Sequence, residues 1–333
     1  MCWPSAEPSR HFVAALDPAN YRRHAIHGDN RVWSETNCYT DLLIELAHGL
    51  GHDPVAMLPF TVAIDFEGDQ WTFFKPPTCD LYTLYGFDLQ ELAIWKPLVE
   101  HVAEQVEAGH PVLVELDSFY LPDTAGTAYR LGHSKTTVGV NDIDVAANRM
   151  GYFHNAGYFE LSGEDFRAAF QLDGAPHERV LPPYVEFVKF RRDFTPPRGS
   201  VMVERSLELL RIQLGRAPAD NPFARFKARF ARDLVELMGD DIARFHKYSF
   251  ATLRQYGACY ELAETYVRWL GERGVAGLGD IAQAFHDIAE GAKAFQFQLA
   301  RSMSRRKPLD LAPLDTMASQ WDAALGGLTA RFG

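Results

Sequence analysis

The sequence predicts an α+β fold, in which an N-terminal unit of strands and helices is followed by a helical bundle. Short runs rich in β-branched and aromatic residues, bounded by glycine and proline, fill the N-terminal part. After the run 194-FTPPRGS-200, apolar residues recur every three to four positions, as on one face of a helix. We therefore expect an α+β domain over residues 1–195 and a helical domain over residues 200–333.

Each element follows from its local pattern. Alternation and β-forming residues predict strands at 60–66, 70–75, 111–117, 134–141, 150–155 and 184–190. Helices are predicted at about 39–50, 88–108 and 162–170, the last with Ser162 as its N-cap. Apolar periodicity in the second domain predicts helices at about 222–239, 241–274, 278–304 and 312–331.

Composition favours a soluble cytoplasmic protein. The chain has 333 residues, 47% of them hydrophobic, and a net charge of −11 that argues against nonspecific nucleic-acid binding. No apolar run approaches the ~18–20 residues of a membrane span, and the N-terminus lacks a signal-peptide pattern. Cys2, Cys38, Cys79 and Cys259 show neither a metal spacing nor a disulfide framework. We therefore predict a reducing compartment and no metal, while the oligomeric state stays open.

Cys38 lies in the run 35-ETNCYTDLLIEL-46, immediately before an apolar helix pattern. A helix N-terminus favours a thiolate, and its first-turn amides can stabilise an oxyanion on a carbonyl bound to the sulfur. Cys38 is therefore a candidate nucleophile. The alternative is a small buried thiol with no reactivity.

His133 precedes the alternating strand 134–141, and the next predicted strand ends at Asn155. Folding this hairpin brings Asn155, or its neighbour His154, close to His133, where a group is needed to fix the imidazole tautomer. Cysteine at a helix start, histidine on a later strand and asparagine after the next strand is the chain order of papain-like enzymes. The alternative is that these residues only satisfy strand ends and a turn.

Longer segments carry a family resemblance. The runs 112-VLVELDSFYLPDTAGTAYRLGHSKTTVGVNDID-144 and 151-GYFHNAGYFELSGEDF-166 resemble the N-terminal domain of the butirosin-biosynthesis protein H family. The segments 36-TNCYTDLLIELAHGLGHDP-54 and 65-DFEGDQWTFFK-75 resemble more closely a bacterial family catalogued as domain of unknown function 1839. The resemblance covers most of the N-terminal domain, whereas the helical part matches in general character only.

The resemblance implies a papain-like cysteine acyltransferase. Such an enzyme would take an acyl group, an aminoacyl group in the favoured case, from the phosphopantetheine thioester of a carrier protein and pass it to an amine. Cys38 would be the nucleophile, His133 the base and Asn155 the third member of a catalytic triad. The chain departs from the papain-like pattern at Val32, where many such enzymes have a glutamine that stabilises the oxyanion. The candidate replacements are the Cys38 amide and the side chains of Asn37 and Gln70.

Other residues are candidates for substrate and carrier contacts. Asp117 could bind a substrate ammonium, and Trp71 and Tyr120 belong to aromatic surroundings that could exclude water from a thioester. An acidic carrier protein could dock on the basic stripe of the helix at 222–239, unless that stripe is simply a solvated face. The stripe consists of Arg225, Arg229 and Arg232.

Three function classes remain open from the sequence. The first is the acyltransferase, with no permanently bound cofactor and phosphopantetheine entering on the carrier. The second is a hydrolase on the same scaffold, which could be a thioesterase, an amidase or a peptidase. The third is a non-catalytic binding protein in which Cys38 is inert.

Overall fold

The computed structural model describes residues 16–33, 37–174, 182–191 and 193–333. Predictions that concern the first fifteen residues, including Cys2, lie outside this range. The chain divides into two compact units, each assembled from separate segments. The first unit comprises Met1–His27, Asn37–Pro54 and Leu81–Pro196. The second comprises Gly28–Thr36, Val55–Asp80 and Pro197–Gly333.

A six-stranded antiparallel sheet forms the centre of the first unit, with the spatial order β1-β6-β2-β3-β4-β5. The strands are β1 (Phe87–Glu91), β2 (Val112–Asp117), β3 (Lys135–Asp144), β4 (Arg149–His154), β5 (Gly157–Ser162) and β6 (Val185–Phe190). The helices before residue 197 are α1 (Cys38–Gly49), α2 (Thr78–Tyr85), α3 (Leu98–Glu107) and α4 (Gly163–Ala169). Short 3-10 turns occupy Ala25–His27, Pro54–Ala63, Ser118–Tyr120 and Pro122–Thr124. The α+β class predicted from the sequence is confirmed.

The sheet is covered on both faces, which explains why β3 is almost entirely buried. Alternate strand residues point to opposite faces, so each face buries its own set. One face packs with α3 and α4 around a core that includes Val112, Val138, Val140, Tyr152 and Phe166. The other face packs against α1, whose residues Leu42 to Ala47 are buried.

The second unit is built from long helices. These are α5 (Gly199–Leu214), α6 (Pro222–Leu237), α7 (Ile242–Ala251), α8 (Leu253–Glu272), α9 (Gly279–Arg305) and α10 (Ala312–Phe332). The single helix predicted at 241–274 is wrong, because Thr252, with φ −123° and ψ −80°, separates α7 from α8. No helix in the described ranges is long and apolar enough to cross a membrane.

Other element predictions were also wrong. Residues 60–63 of the predicted strand at 60–66 belong to the 3-10 segment Pro54–Ala63. The predicted strands at 60–66 and 70–75 form only one isolated bridge, between Phe66 and Trp71. Short apolar runs do not distinguish a strand from a buried helical turn. The predicted helix at 88–108 begins with β1, and α3 starts only after Pro97, which cannot continue a preceding helix.

Candidate functional site

Cys38 is the first residue of α1, and Asn37 is the N-cap of that helix. Asn37 has an extended backbone, and its Oδ1 accepts hydrogen bonds from the N–H groups of Tyr39 at 3.1 Å and Thr40 at 3.2 Å. Asp41 Oδ2 accepts a hydrogen bond from the Asn37 N–H at 3.1 Å. The half-buried Cys38 side chain thus sits at the positive end of a helix dipole, which attracts negative charge.

Helix α1 crosses one face of the sheet, from β6 past β3 toward β4 and β5. Tyr39 Oη donates a hydrogen bond to Glu186 of β6 at 2.7 Å. One turn later Leu42 packs on Gly139 of β3, where an added Cβ would lie 3.5 Å from Leu42 Cδ1. The helix continues toward β4 and β5. Cys38 therefore lies at the β6 end of this path.

His133 and Asp117 form a hydrogen-bonded pair at the ends of β2 and β3. His133 Nδ1 donates to Asp117 Oδ2 at 2.6 Å, and the Ser134 N–H donates to Asp117 Oδ1 at 3.2 Å. The His133 ring stacks on Phe119 with the two ring centres 4.4 Å apart, and its side chain is 67% exposed. The carboxylate fixes the ring so that Nε2 remains to take a proton. Asp117, predicted as an ammonium contact, thus lies where an orienting group is needed.

Asp117 belongs to the same face of the sheet as α1. It is four residues after Leu113, whose side chain lies beside Gly139 on the α1 face, and strand residues alternate between faces. In the described part of the chain no hydrogen bond joins Cys38 to His133. Helix α1 contacts β3 at Gly139, through Leu42. Four strand residues, about 13 Å, separate Gly139 from Lys135, the first residue of β3, and His133 lies two residues before Lys135. The pairing of Cys38 with His133 therefore stays a prediction.

Aromatic residues surround the His133 ring. Tyr120, a predicted substrate contact, lies 6.4 Å from His133 between ring centres and 5.1 Å from Phe119. Arg130 has a left-handed backbone (φ 57°), and its guanidinium lies 5.5 Å from the Phe119 ring centre. Asp165 of α4 ion-pairs with Arg130 and fixes this loop. The structure therefore brings together three of the predicted site residues. They are Asp117, Tyr120 and His133.

Asn155 lies in the two-residue turn between β4 and β5, with a left-handed backbone (φ 45°) that asparagine tolerates well. No hydrogen bond joins Asn155 to His133 among the residues that the structure describes. Its neighbour His154 is also engaged elsewhere. Asn155 as third member of the triad therefore remains a prediction from chain order, while the observed partner of His133 is Asp117.

A buried network holds the β2–β3 loop to the other face of the sheet. His154 Nδ1 donates to Asp123 Oδ2 at 2.5 Å, and His154 Nε2 accepts a hydrogen bond from Thr136 Oγ1 at 2.7 Å. Tyr152 Oη donates to the other Asp123 oxygen at 2.5 Å. The His154 and Asp123 side chains are almost fully buried. Since Asp123 lies between Asp117 and His133 in sequence, this network anchors the loop that carries the candidate base.

A second buried network supports α1 one and two turns after Cys38. His27 lies between Asp41, at 3.3 Å from Nε2 to Oδ1, and Glu45, which contacts Nδ1. Tyr21 Oη donates to Glu45 at 2.6 Å, and the His24 N–H donates to it at 3.1 Å. Burial by itself would lower the pKa of His27, but hydrogen bonds and charge from the two carboxylates outweigh it and raise the pKa to about 9.

The predicted oxyanion donors occupy different places. The side-chain oxygen of Asn37 is used in capping α1, so only its NH₂ group could serve as a donor. Gln70 is exposed and belongs to the second unit. Val32 is also in the second unit, where its N–H donates to Glu261 at 2.8 Å. The predicted substrate contact Trp71 is a core residue there, 1% exposed and packed against aromatic rings of α6 and α8.

Two members of the predicted arginine stripe are engaged within the second unit. Arg225 ion-pairs with Asp65, and Arg229 donates to Asp233 at 2.7 Å. Arg232 is exposed and forms no ion pair with any described residue. Of the three, Arg232 is therefore the cation most available to an outside partner.

Comparison with protein families decides the classification. A profile of the DUF1839 N-terminal domain matches residues 22–190, and one of the DUF1839 C-terminal domain matches residues 199–330. The chain belongs to the DUF1839 family. This confirms the family recognised from the N-terminal part of the sequence and extends it to the helical part. No curated protein sequence matches the chain.

Proposed function

We propose that this DUF1839 protein is a cysteine-dependent acyltransferase. It takes an acyl group, an aminoacyl group in the favoured case, from a carrier-protein thioester and passes it to an amine through an acyl-Cys38 intermediate. The proposal includes a papain-like arrangement of the first unit and the distant relationship to butirosin-biosynthesis protein H. Phosphopantetheine is part of the donor substrate in this reaction.

The observation that carries the proposal is the Asp117–His133 hydrogen bond, on the sheet face where Cys38 begins α1. A nucleophile, a base and a carboxylate that orients the base are the parts that thiol acyl transfer requires. The exposed His133 ring has one nitrogen oriented by Asp117 and the other able to exchange a proton with substrate.

The other described cysteines are poorer nucleophiles. Cys259 is fully buried, and burial raises its pKa well above the ordinary value. Desolvation and a hydrogen bond to Asp80 raise the pKa of Cys79. Because the thiolate is the reactive form, these environments disfavour both thiols as acyl acceptors. Cys38 is the first residue of α1, whereas Cys79 lies in the first turn of α2 beside the Asp80 carboxylate.

The chemistry follows from these groups. His133 takes the proton of the Cys38 thiol, and the thiolate attacks the donor thioester carbonyl. The bond from this carbonyl carbon to the carrier sulfur breaks, and the carrier thiolate takes the proton from His133 as the acyl-Cys38 thioester forms. An amine then attacks this thioester, His133 takes the proton from the amine nitrogen, and the Cys38 thiol is released as the amide forms. Exchange of one thioester for another is nearly isoenergetic, so formation of the amide drives the sequence.

Product analysis separates transfer from hydrolysis. The full chain is incubated with the pantetheine thioester of an amino acid and a millimolar primary amine, and products are quantified by liquid chromatography and mass spectrometry. We expect amide as the main product and its loss in Cys38→Ala. Free acid as the main product at every amine concentration would reject the transferase in favour of the hydrolase, and no turnover of any thioester would leave the binding-protein alternative.

A further inference from the structure

Glu186 is a buried carboxylate close to the start of α1. It lies on β6 opposite Leu113 of β2 and is 7% exposed. Tyr39 Oη donates to its Oε2 at 2.7 Å, and Tyr184 Oη donates to its Oε1 at 3.0 Å. Among the described residues, no lysine, arginine or histidine forms an ion pair with Glu186.

Within the described ranges, Glu186 therefore has no cation as a direct partner. A buried carboxylate is costly unless a cation and hydrogen bonds compensate it, and two neutral hydroxyl groups supply only the hydrogen bonds. The surroundings add two more carboxylates, Glu91 and Glu115, of which Glu115 ion-pairs with Lys135. Burial together with Glu186, Glu91 and Glu115 raises the pKa of Tyr184 to about 12, because each carboxylate disfavours a phenolate beside it.

The position of these side chains points to a ligand. Tyr39 directly follows Cys38, so its hydrogen bond ties Glu186 to the helix turn that carries the candidate nucleophile. Tyr184 is 45% exposed, so the ring whose hydroxyl group contacts Oε1 lies at the surface of the unit. Aromatic rings around a carboxylate attract ammonium groups both by charge and through their π faces.

We propose that Glu186, Tyr39 and Tyr184 form a binding site for a primary ammonium group beside Cys38. The inference deepens the proposed function and rests on it for the origin of the ligand. The ammonium belongs either to an aminoacyl donor or to the amine acceptor before it loses a proton. Both present the same chemistry to the site.

Charge-selective thiol reagents test the site without any catalysis. The full chain is treated with the cationic 2-aminoethyl and the anionic 2-sulfonatoethyl methanethiosulfonate, and modification of Cys38 is followed by peptide mass spectrometry. The rate constant for each reagent is divided by the rate constant of the same reagent with glutathione, which corrects for its intrinsic reactivity. We expect the cationic reagent to be favoured at Cys38 by about tenfold, since a unit charge about 4 Å away changes a rate about fivefold even in water and acts in opposite directions on the two reagents.

The variants decide the outcome. Glu186→Gln keeps the hydrogen-bond acceptor but removes the charge, and we expect it to abolish the selectivity, whereas Glu160→Gln on the exposed part of β5 keeps it. Tyr184→Phe, at an exposed position, should reduce it. The inference is overturned if Glu186→Gln leaves the selectivity unchanged, or if the chain without any substitution shows no selectivity. Intact selectivity without acyl transfer would reject the proposed function and leave the ammonium site standing.

Two thioesters of similar shape identify the source of the ammonium. Alanyl-pantetheine carries the amine, and isobutyryl-pantetheine has a methyl group in its place. If Glu186→Gln slows acylation of Cys38 by the alanyl compound about tenfold and not by the isobutyryl compound, the ammonium is that of the donor. If it slows only the attack of an amine on isobutyryl-Cys38, the ammonium is that of the acceptor. Equal rates in both steps overturn the inference.

Discussion

Replacing His27 with leucine is expected to lower the free energy of unfolding by about 3–5 kcal/mol, the usual cost of breaking a buried ion pair. The substitution leaves Asp41 and Glu45 buried next to each other without their common partner. Both carboxylates lie on α1, and Asp41 also holds the N-cap residue Asn37. The loss should therefore loosen the start of α1 as well as destabilise the unit.

Urea denaturation followed by circular dichroism measures this loss. The matched control is His246→Leu, an exposed histidine on α7 whose replacement should change the free energy of unfolding by less than about 0.5 kcal/mol. Equal stability of the two variants would show that the His27 network contributes nothing to the fold.

The same network predicts a pH dependence. The pKa of His27 is raised from 6.5 to about 9 in the folded chain, so its stabilising contribution is complete below about pH 6.5. That contribution is lost as the pH rises through about 9. Burial alone would raise the pKa of Glu45, but His27, Tyr21 and the His24 amide lower it, so its contribution is lost only in acid. Stability that does not fall between pH 6.5 and 9, relative to His27→Leu, would contradict a charged His27.

Replacing His133 with alanine is expected to slow acyl transfer to an amine by about 10²–10⁴-fold, the usual contribution of a general base. The effect should appear in kcat rather than in KM, because the proton is transferred in the transition state. Steady-state amide formation with a pantetheine thioester measures both constants. The control is His246→Ala, whose kinetics should match the unmodified chain.

Two further variants distinguish the residue that orients His133. Asp117→Asn retains the shape of the partner but removes the charge, and we expect a slower reaction because the imidazolium loses its stabilising carboxylate. Asn155→Gly keeps the left-handed turn and removes only the side chain, so we expect a smaller effect. A larger loss in Asn155→Gly than in Asp117→Asn would support the triad predicted from chain order and contradict the role assigned to Asp117.

Local patterns predicted much of the fold. The strands β2, β3, β4 and β6 were found within a few residues, since each has a clear alternation or a continuous apolar run. The start of α1 at Cys38 was also recognised, because cap-type residues precede an apolar helix pattern. The error at 60–66 arose because apolar content was high but the period was ambiguous, and the error at 88–108 arose because Pro97 interrupts that segment.

Long-range pairing limited the prediction of the site. Chain order suggested that Asn155 returns to His133, but β3 and β4 pair Gly139 with Phe153, and this register puts Asn155 near Thr137, four residues from His133. The neighbour of His133 is instead the end of β2, and a single sequence does not give that pairing. Glu186 was missed for the same reason, because β6 inserts between β1 and β2 far from its sequence neighbours. The sequence signal that could have pointed to Glu186 was a single glutamate within an otherwise apolar strand pattern.

The most direct test of the account is whether an acyl group is carried on Cys38. The full chain is mixed with an aminoacylated carrier protein, quenched in acid within seconds, and analysed by intact-protein and peptide mass spectrometry. The account predicts one acyl adduct, located on Cys38, absent in Cys38→Ala and discharged to an amide when an amine is added. An adduct on Cys79 or Cys259 instead, or none with any of several aminoacyl carriers while amide still forms, would contradict it.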